Sequence, residues 1–296
     1  MTDLVFLSLG PGDIMFGQLV ADLGARRGQV ETRTFPDGES YVRLLTDVSG
    51  ADVAILCSLV HPNDRIVELL LLSQTAKELG ARRVGLVAPY LAYMRQDKRF
   101  RPGEAVSAGI FAGLISRYFD WLVTLDPHLH RYASLSEIYS IPTRVAHAAP
   151  AISDWIATAV DAPVVVGPDS ESEQWVAKVA AGAKAPFFVL AKERTGDRNV
   201  TVRPSGLERW PGGTPGVVDD IVSSGQTMIE TVRVVRNLAK TPPVCVAVHA
   251  LFSAATEAEL VRLGSKVVST NTVGHPTNAI DVSEAISGCV RDLVGR

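Results

Sequence analysis

With 296 residues, 47% hydrophobic and 21% charged, the chain can bury a large core without disulfides or metals, and its composition excludes disordered, collagen-like and disulfide-scaffold classes. Its 29 basic and 32 acidic side chains leave a net charge of -3, so it lacks the long-range positive field of a nucleic-acid binder. Aromatic residues make up only 6%, and the apolar total rests on Ala, Val, Leu and Ile, the mix of parallel strands buried on both faces.

Short β-branched runs alternate with helix-length amphipathic segments, which is the pattern of βαβ units and a parallel sheet. Leu4–Leu9 reads as a strand, followed through Gly10-Pro11-Gly12-Asp13 by a helix stopped near Gly24. Val53–Leu59 is the next strand, and Asn63-Asp64 offers an N-cap to a helix over Arg65–Leu79 that ends at Gly80. A strand over Arg83–Ala88, a polar stretch over Tyr93–Glu104, a helix over Ser107–Tyr118 and a strand over Trp121–Leu125 complete the first half.

The Ala, His and Pro of Ala146–Pro150 suggest a boundary, after which the pattern begins again. A helix over Ala151–Thr158, a strand over Pro163–Val166, a helix over Glu173–Ala181 and strands over Pro186–Ala191 and Gly216–Val218 are expected. A helix over Gln226–Leu238 and a strand over Val244–Ala250 follow, and helix-like Ile280–Val294 can pack on either half. Two similar domains, 1–146 and 147–296, are the economical division. Cys57, Cys245 and Cys289 lie far apart in apolar surroundings without ligand spacing and read as small core residues. The acidic start Met1-Thr2-Asp3 and the interruption of the longest apolar run by His249 point to a soluble, cytoplasmic protein without a membrane span.

The segment most suggestive of chemistry is Gly216–Thr227, where a buried strand delivers Asp219 and Asp220 into a turn of Ser223, Ser224 and Gly225 that opens a helix at Gln226 and Thr227. Backbone N–H groups and hydroxyls at a helix N-terminus suit a phosphate, and the carboxylates can accept hydrogen bonds from vicinal sugar hydroxyls. An Asp/Ser-rich βα loop that merely caps its helix would look similar. This segment resembles the ribose 5-phosphate loop shared by phosphoribosyltransferases and ribose-phosphate pyrophosphokinases. Gln226 stands where that loop usually has a second glycine, and would be strained if the position needs positive φ.

Pro89–Glu104, with Arg95-Gln96-Asp97 at its centre, resembles the nucleotide signature of the pyrophosphokinases. A planar guanidinium can stack on a purine and fork onto phosphate, while Gln96 and Asp97 can meet a base edge or fix that arginine. By charge pattern alone the segment would be a solvated face. Phe35-Pro36-Asp37-Gly38-Glu39 matches a further signature of this family, whose aromatic and two acids reach the adenine bound to a neighbouring subunit. A plain Pro-Asp-Gly hairpin turn would also account for it.

Asp126-Pro127-His128-Leu129-His130 resembles the family's Asp-x-His, and the spacing selects His128 as a magnesium ligand over His130. Asp169, in Gly167–Glu173, matches a metal-binding aspartate of the pyrophosphate loop, although Glu171 and Glu173 add negative charge beside a polyanion. Lys192 and Arg194 match the Lys-x-Arg of a mobile catalytic loop, with Gly196 and Asp197 suited to a lid.

The resemblance implies an α/β fold of two tandem phosphoribosyltransferase-like domains, each with a mainly parallel sheet flanked by helices, the last helix able to return to the first domain. It implies Mg2+-dependent transfer of the diphosphoryl group of ATP, as co-substrate, to the anomeric hydroxyl of ribose 5-phosphate. Phe35, Asp37, Glu39, Arg95, Gln96 and Asp97 would then hold nucleotide, and Asp219, Asp220 and Ser223 to Thr227 the sugar phosphate. His128 and Asp169 would hold metal, and Lys192 and Arg194 would stabilise the phosphoryl group in transfer. A homodimer or higher homo-oligomer is implied, with neither nucleic acid nor membrane as partner. The alternatives are a catalytically weak paralogue that regulates a true synthetase by assembling with it, suggested by Glu171 and Gln226, and a phosphoribosyltransferase acting on a base.

Overall fold

The computed structural model describes residues 3–10, 14–129, 131–195, 199–203 and 212–295, with backbone alone at residues 14, 171, 191–195 and 199–203. The chain forms two compact units, Met1–Ala146 with Ser283–Arg296, and His147–Val282.

The first unit runs β1 (Leu4–Ser8), α1 (Ile14–Leu23), β2 (Arg26–Arg27), β3 (Val30–Thr34), β4 (Ser40–Leu44), β5 (Asp52–Leu56), α2 (Ile66–Glu78), β6 (Arg83–Ala88), α3 (Ser107–Tyr118), β7 (Trp121–Leu125) and β8 (Thr143–Ala146). Six strands form one parallel sheet in the order β2-β1-β5-β6-β7-β8, while β3 and β4 form a separate antiparallel ribbon. Every residue of β5 and β7 is buried, so these central strands need apolar side chains on both faces rather than alternation. Gly85 on β6 is paired with Trp121 on β7, and a Cβ at Gly85 would lie 1.9 Å from the indole. The missing side chain is what lets the buried Trp121 lie across β6.

The second unit runs α4 (Ala149–Ala159), β9 (Pro163–Gly167), α5 (Glu173–Ala183), β10 (Phe187–Val189), β11 (Ala191–Thr195), β12 (Asn199–Arg203), β13 (Thr214–Val222), α6 (Gln226–Arg236), β14 (Val244–Ala250), α7 (Ala254–Arg262), β15 (Lys266–Thr270) and β16 (Asn278–Ile280). Its parallel sheet has the order β10-β9-β13-β14-β15-β16, again with an antiparallel ribbon, β11-β12, set apart. The two units thus repeat one plan: a first strand, an edge strand, a ribbon, and four further strands in sequence.

The chain ends with α8 (Ser283–Val294), which belongs to the first unit. Ser283, Ile286, Ser287, Val290 and Val294 are buried at helical spacing, and Arg291 Nη2 donates to the Asp22 carbonyl of α1 at 2.9 Å. Among the described residues no helix is long and apolar enough to cross a membrane.

Several expectations need correction. Asn63 and Asp64 do not cap α2: they lie in a 3₁₀ turn, Pro62–Asp64, Arg65 holds the cap position, and Asn63 instead accepts a hydrogen bond from the Tyr93 hydroxyl. The strand expected over Pro186–Ala191 is two strands, because after Leu190 donates to the Gly167 carbonyl the chain leaves the sheet to pair with β12. The strand expected to stop at Val218 continues to Val222. Cys57 and Cys245 are buried, and burial pushes both thiols up to about 12, but Cys289 is only partly buried.

Candidate active site

In a parallel sheet the loops that follow the strands gather at the C-terminal edge, where ligands bind in open α/β folds. Asp219 and Asp220 lie in the second half of β13, with Val217 level with Val166 of β9 and Asp219 level with Ala247 of β14. Asp169 follows the end of β9. Burial, then the negative charges of Asp220 and Asp169, push the Asp219 carboxyl well above the usual carboxylate range. A cation or hydroxyl donors beside it would offset that crowding. The Asp219 carboxylate already accepts from the Asp220 N–H at 3.0 Å, and that of Asp220 from the Ile221 N–H at 2.7 Å. Asp169 accepts from the Ser172 N–H at 3.3 Å, and its carbonyl accepts from the Ser172 hydroxyl at 2.6 Å.

The turn after β13 enters α6 through Gly225, whose φ of 75° makes it the left-handed cap residue. A Cβ there would also stand 2.1 Å from Thr256 Cγ2, so glycine is required both by conformation and by space. Thr256 Oγ1 donates to the Ser224 carbonyl at 3.1 Å and fixes the turn from behind. Gln226 is the first residue of the helix and needs no positive φ, so the strain anticipated there does not arise. Its side chain runs along the helix, Nε2 donating to Glu230 Oε1 at 2.8 Å. The result is a helix N-terminus bordered by Ser223, Ser224 and Thr227, with the Gln226 N–H directed at Ser224 Oγ at 3.5 Å.

In the first unit, residues 95–104 follow β6. Arg95 is exposed, Gln96 partly buried and Asp97 buried. Glu104 organises this loop: its Oε2 accepts from the N–H groups of Phe100 and Arg101, each at 2.9 Å, and from Gln96 Nε2 at 3.3 Å. Asp97 does not fix Arg95. Both of its oxygens accept from Arg131 Nη1, at 3.0 and 3.1 Å. Sequence reasoning missed Arg131 because its partner is 34 residues away and no local pattern marks it.

His128 is partly buried just beyond β7, after Asp126, whose φ of 34° turns the chain. His130 lies outside the described residues. At the tip of the β3-β4 ribbon, Asp37 and Glu39 are exposed and Phe35 half-buried. The Arg33 guanidinium stands 4.5 Å from the Phe35 ring and 4.3 Å from the Tyr41 ring. Positions 192 and 194 alternate on β11, opposite Val202 and Val200 of β12. Their side chains, that of Glu171, and Gly196 and Asp197 lie outside the described part. Among the described residues no group of three or more His, Cys, Asp and Glu is assembled to hold a metal ion.

These features define an α/β protein with two phosphoribosyltransferase-like domains. The model for the N-terminal domain of ribose phosphate pyrophosphokinase matches residues 9–118, and that for the phosphoribosyl transferase domain matches residues 134–286. A ribose-phosphate pyrophosphokinase of Sulfurisphaera tokodaii is 32% identical over 266 residues, 88% of this chain and 90% of that protein. One of Methanopyrus kandleri is 30% identical over 296 residues, 99% of this chain and 100% of its own length. The crystal structure of phosphoribosylpyrophosphate synthetase from Mycobacterium smegmatis superposes with a TM-score of 0.84 over 99% of both chains at 23% identity, a likeness of fold. The chain belongs to the ribose-phosphate pyrophosphokinase family, a family of transferases.

Proposed function

We propose that this chain catalyses transfer of the β,γ-diphosphoryl group of ATP to ribose 5-phosphate. The anomeric hydroxyl oxygen attacks the β-phosphorus, the bond from that phosphorus to the α-bridging oxygen breaks, and AMP departs as 5-phosphoribosyl 1-diphosphate forms. The hydroxyl proton leaves to solvent. Such a reaction asks for positioning and charge neutralisation rather than covalent catalysis.

The observation that carries this reading is the strand end holding Asp219 and Asp220 above the α6 N-terminus. The helix end and the hydroxyls of Ser223, Ser224 and Thr227 receive the 5-phosphate, beside Gly225 and Gln226. Asp219 and Asp220 hold the ribose hydroxyls, Arg95 and Gln96 the nucleotide, and Phe35, Asp37 and Glu39 the adenine bound to a partner chain in a homo-oligomer. Lys192 and Arg194 stabilise the transferring group.

Magnesium fits the donor set at the sugar site. Asp169 and Asp220 offer hard oxygen atoms near Asp219 without forming a three-carboxylate cage, and a cation there would relieve the charge crowding at Asp219. Magnesium commonly uses one or two carboxylates with water and substrate phosphates, so a complete protein cage is not needed. Asp169 would hold it there and His128 in the first unit, where it would neutralise phosphate charge. A cytoplasmic location, where both substrates occur, completes the proposal. The regulatory alternative gains no support from the comparisons, and Gln226 is accommodated at the first position of the helix.

The test is AMP release from ATP and magnesium with and without ribose 5-phosphate, beside an Asp169→Ala variant. Sugar-dependent AMP that the variant loses supports the reading; AMP formation that ignores the sugar, or none at all, rejects it.

A further inference from the structure

We infer that Arg131 is a positioning residue for nucleotide binding, locking the loop that carries Arg95 and Gln96 to the segment that carries His128. The inference rests on the proposed nucleotide role of Arg95, Gln96 and His128.

The Asp97 side chain is only 4% exposed, whereas that of Arg131 is 46% exposed. A carboxylate buried this deeply is sustained by its cation, and here one guanidinium nitrogen serves both oxygens at 3.0 and 3.1 Å. The next residue adds a second tie, for the Tyr132 hydroxyl donates to the Asp97 carbonyl at 3.3 Å. Consecutive residues of the His128 segment therefore grip both the side chain and the backbone of one residue in the nucleotide loop.

On its far side the same loop is held by different groups. The Gln96 carbonyl accepts from the Ala108 N–H of α3 at 3.2 Å, and Glu104 gathers residues 96, 100 and 101. Arg131 also stands 6.0 Å from the ring of Phe100, an exposed aromatic that has Lys98 Nζ 5.1 Å from the same ring. The Asp97 carboxylate points into this bracket, so its part in binding is to hold Gln96 and Arg95 at a set distance from His128. Both segments would carry groups for one nucleotide, and a displacement of an ångström between them is enough to weaken binding.

This geometry makes a prediction that separates it from direct contact between Asp97 and nucleotide. If Asp97 acts through Arg131, the variants Arg131→Ala and Asp97→Asn should weaken ATP binding equally, by about tenfold, and the double variant should be no worse than either. Arg131→Lys, which keeps the charge but not the fork, should fall between Arg131→Ala and the parent. Ribose 5-phosphate binding should stay within about twofold in all of them, a split that general loss of stability would not produce.

Titration calorimetry of the full chain with magnesium-ATP, and separately with ribose 5-phosphate, reads all of these. Unchanged ATP affinity in Arg131→Ala, or additive losses in the double variant, would overturn the inference. Because the readout is binding, it decides the role of the pair whether or not the parent chain forms AMP, and AMP formation alone decides the catalytic reading.

Discussion

Asp219 is the residue at which the proposed sugar-binding role and stability oppose each other most openly. Its carboxyl is raised above the range of an unfolded aspartate, near 3.9, by burial and by Asp220 and Asp169. The native state therefore binds more protons than the unfolded state above that pH. It follows from linkage that this group makes the ligand-free protein less stable as pH rises from about 4 through the raised value. Asp219→Asn removes the charge but keeps the shape. We expect its melting temperature at neutral pH to exceed that of the parent by about 2–6 °C, the size of a 1–2 kcal/mol gain. The excess should vanish near pH 4, and turnover should drop by about a hundredfold or more. Thermal scans between pH 4 and 8 with AMP assays check this; a variant no more stable at pH 8 than at pH 4, relative to the parent, would refute the strain.

Elements are held to one another by a second buried carboxylate of opposite character. Asp52 opens β5 with no exposed surface and accepts from Arg82 at 2.9 and 2.5 Å and from Arg83 at 3.3 and 2.7 Å. Burial alone would push this carboxyl up, but the hydrogen bonds from Arg83 and Arg82 outweigh it and hold it below the usual range. Arg83 Nη1 continues to the Leu293 carbonyl of α8 at 3.2 Å, so one carboxylate sets the start of β5 and, through arginine, the end of the last helix. Removing one partner of a buried pair typically costs about 3–5 kcal/mol; the arginines keep 47% and 36% of their side-chain surface, so about 2–3 kcal/mol is expected for Asp52→Asn. A depressed acid stabilises above its unfolded value and loses that contribution as pH falls through its native value. Denaturant titrations should thus show the gap at pH 7 and its narrowing below pH 4, with amide exchange of residues 290–294 quickened in the variant. A constant gap across that range would assign the loss to packing instead.

The same scale shows what the sequence could and could not disclose. Arg83–Ala88, Ser107–Tyr118, Trp121–Leu125 and Val244–Ala250 carry enough apolar signal to be read with correct ends. Strands β2, β8 and β16 went unread because edge strands of two to four residues are short and partly polar, β15, an inner strand, because three of its five residues are polar, and α7 because Leu260 alone among its side chains is fully buried. The turn from β13 into α6 was legible, since adjacent acids and a Ser-Ser-Gly run are local. Asp97 with Arg131 was not, for an ion pair between distant residues leaves no periodicity. Nor does any local pattern announce buried His249, whose Nδ1 meets the Thr272 hydroxyl at 2.9 Å across 23 residues.

At the scale of the whole molecule, both units build on the same strand order and each sets aside one antiparallel ribbon, but the ribbons bear different residues. The ribbon of the second unit carries Lys192 and Arg194, and that of the first carries Phe35, Asp37 and Glu39 around its tip. A tip with exposed acids beside a half-buried aromatic, where Arg33 stands between Phe35 and Tyr41, can serve a neighbouring chain without repacking its own core. If each nucleotide site takes Phe35 from a partner and Lys192 from its own chain, Phe35→Ala and Lys192→Ala proteins should each be nearly inactive. Mixed, denatured and refolded together in equal amounts, they should recover activity. For a dimer, half of the pairs are hybrids by chance and each hybrid holds one intact site of two, so recovery should approach about a quarter of the parental rate. No recovery above the sum of the separate proteins would mean that both residues serve the same chain, and the ribbon of the first unit would have to be assigned another purpose.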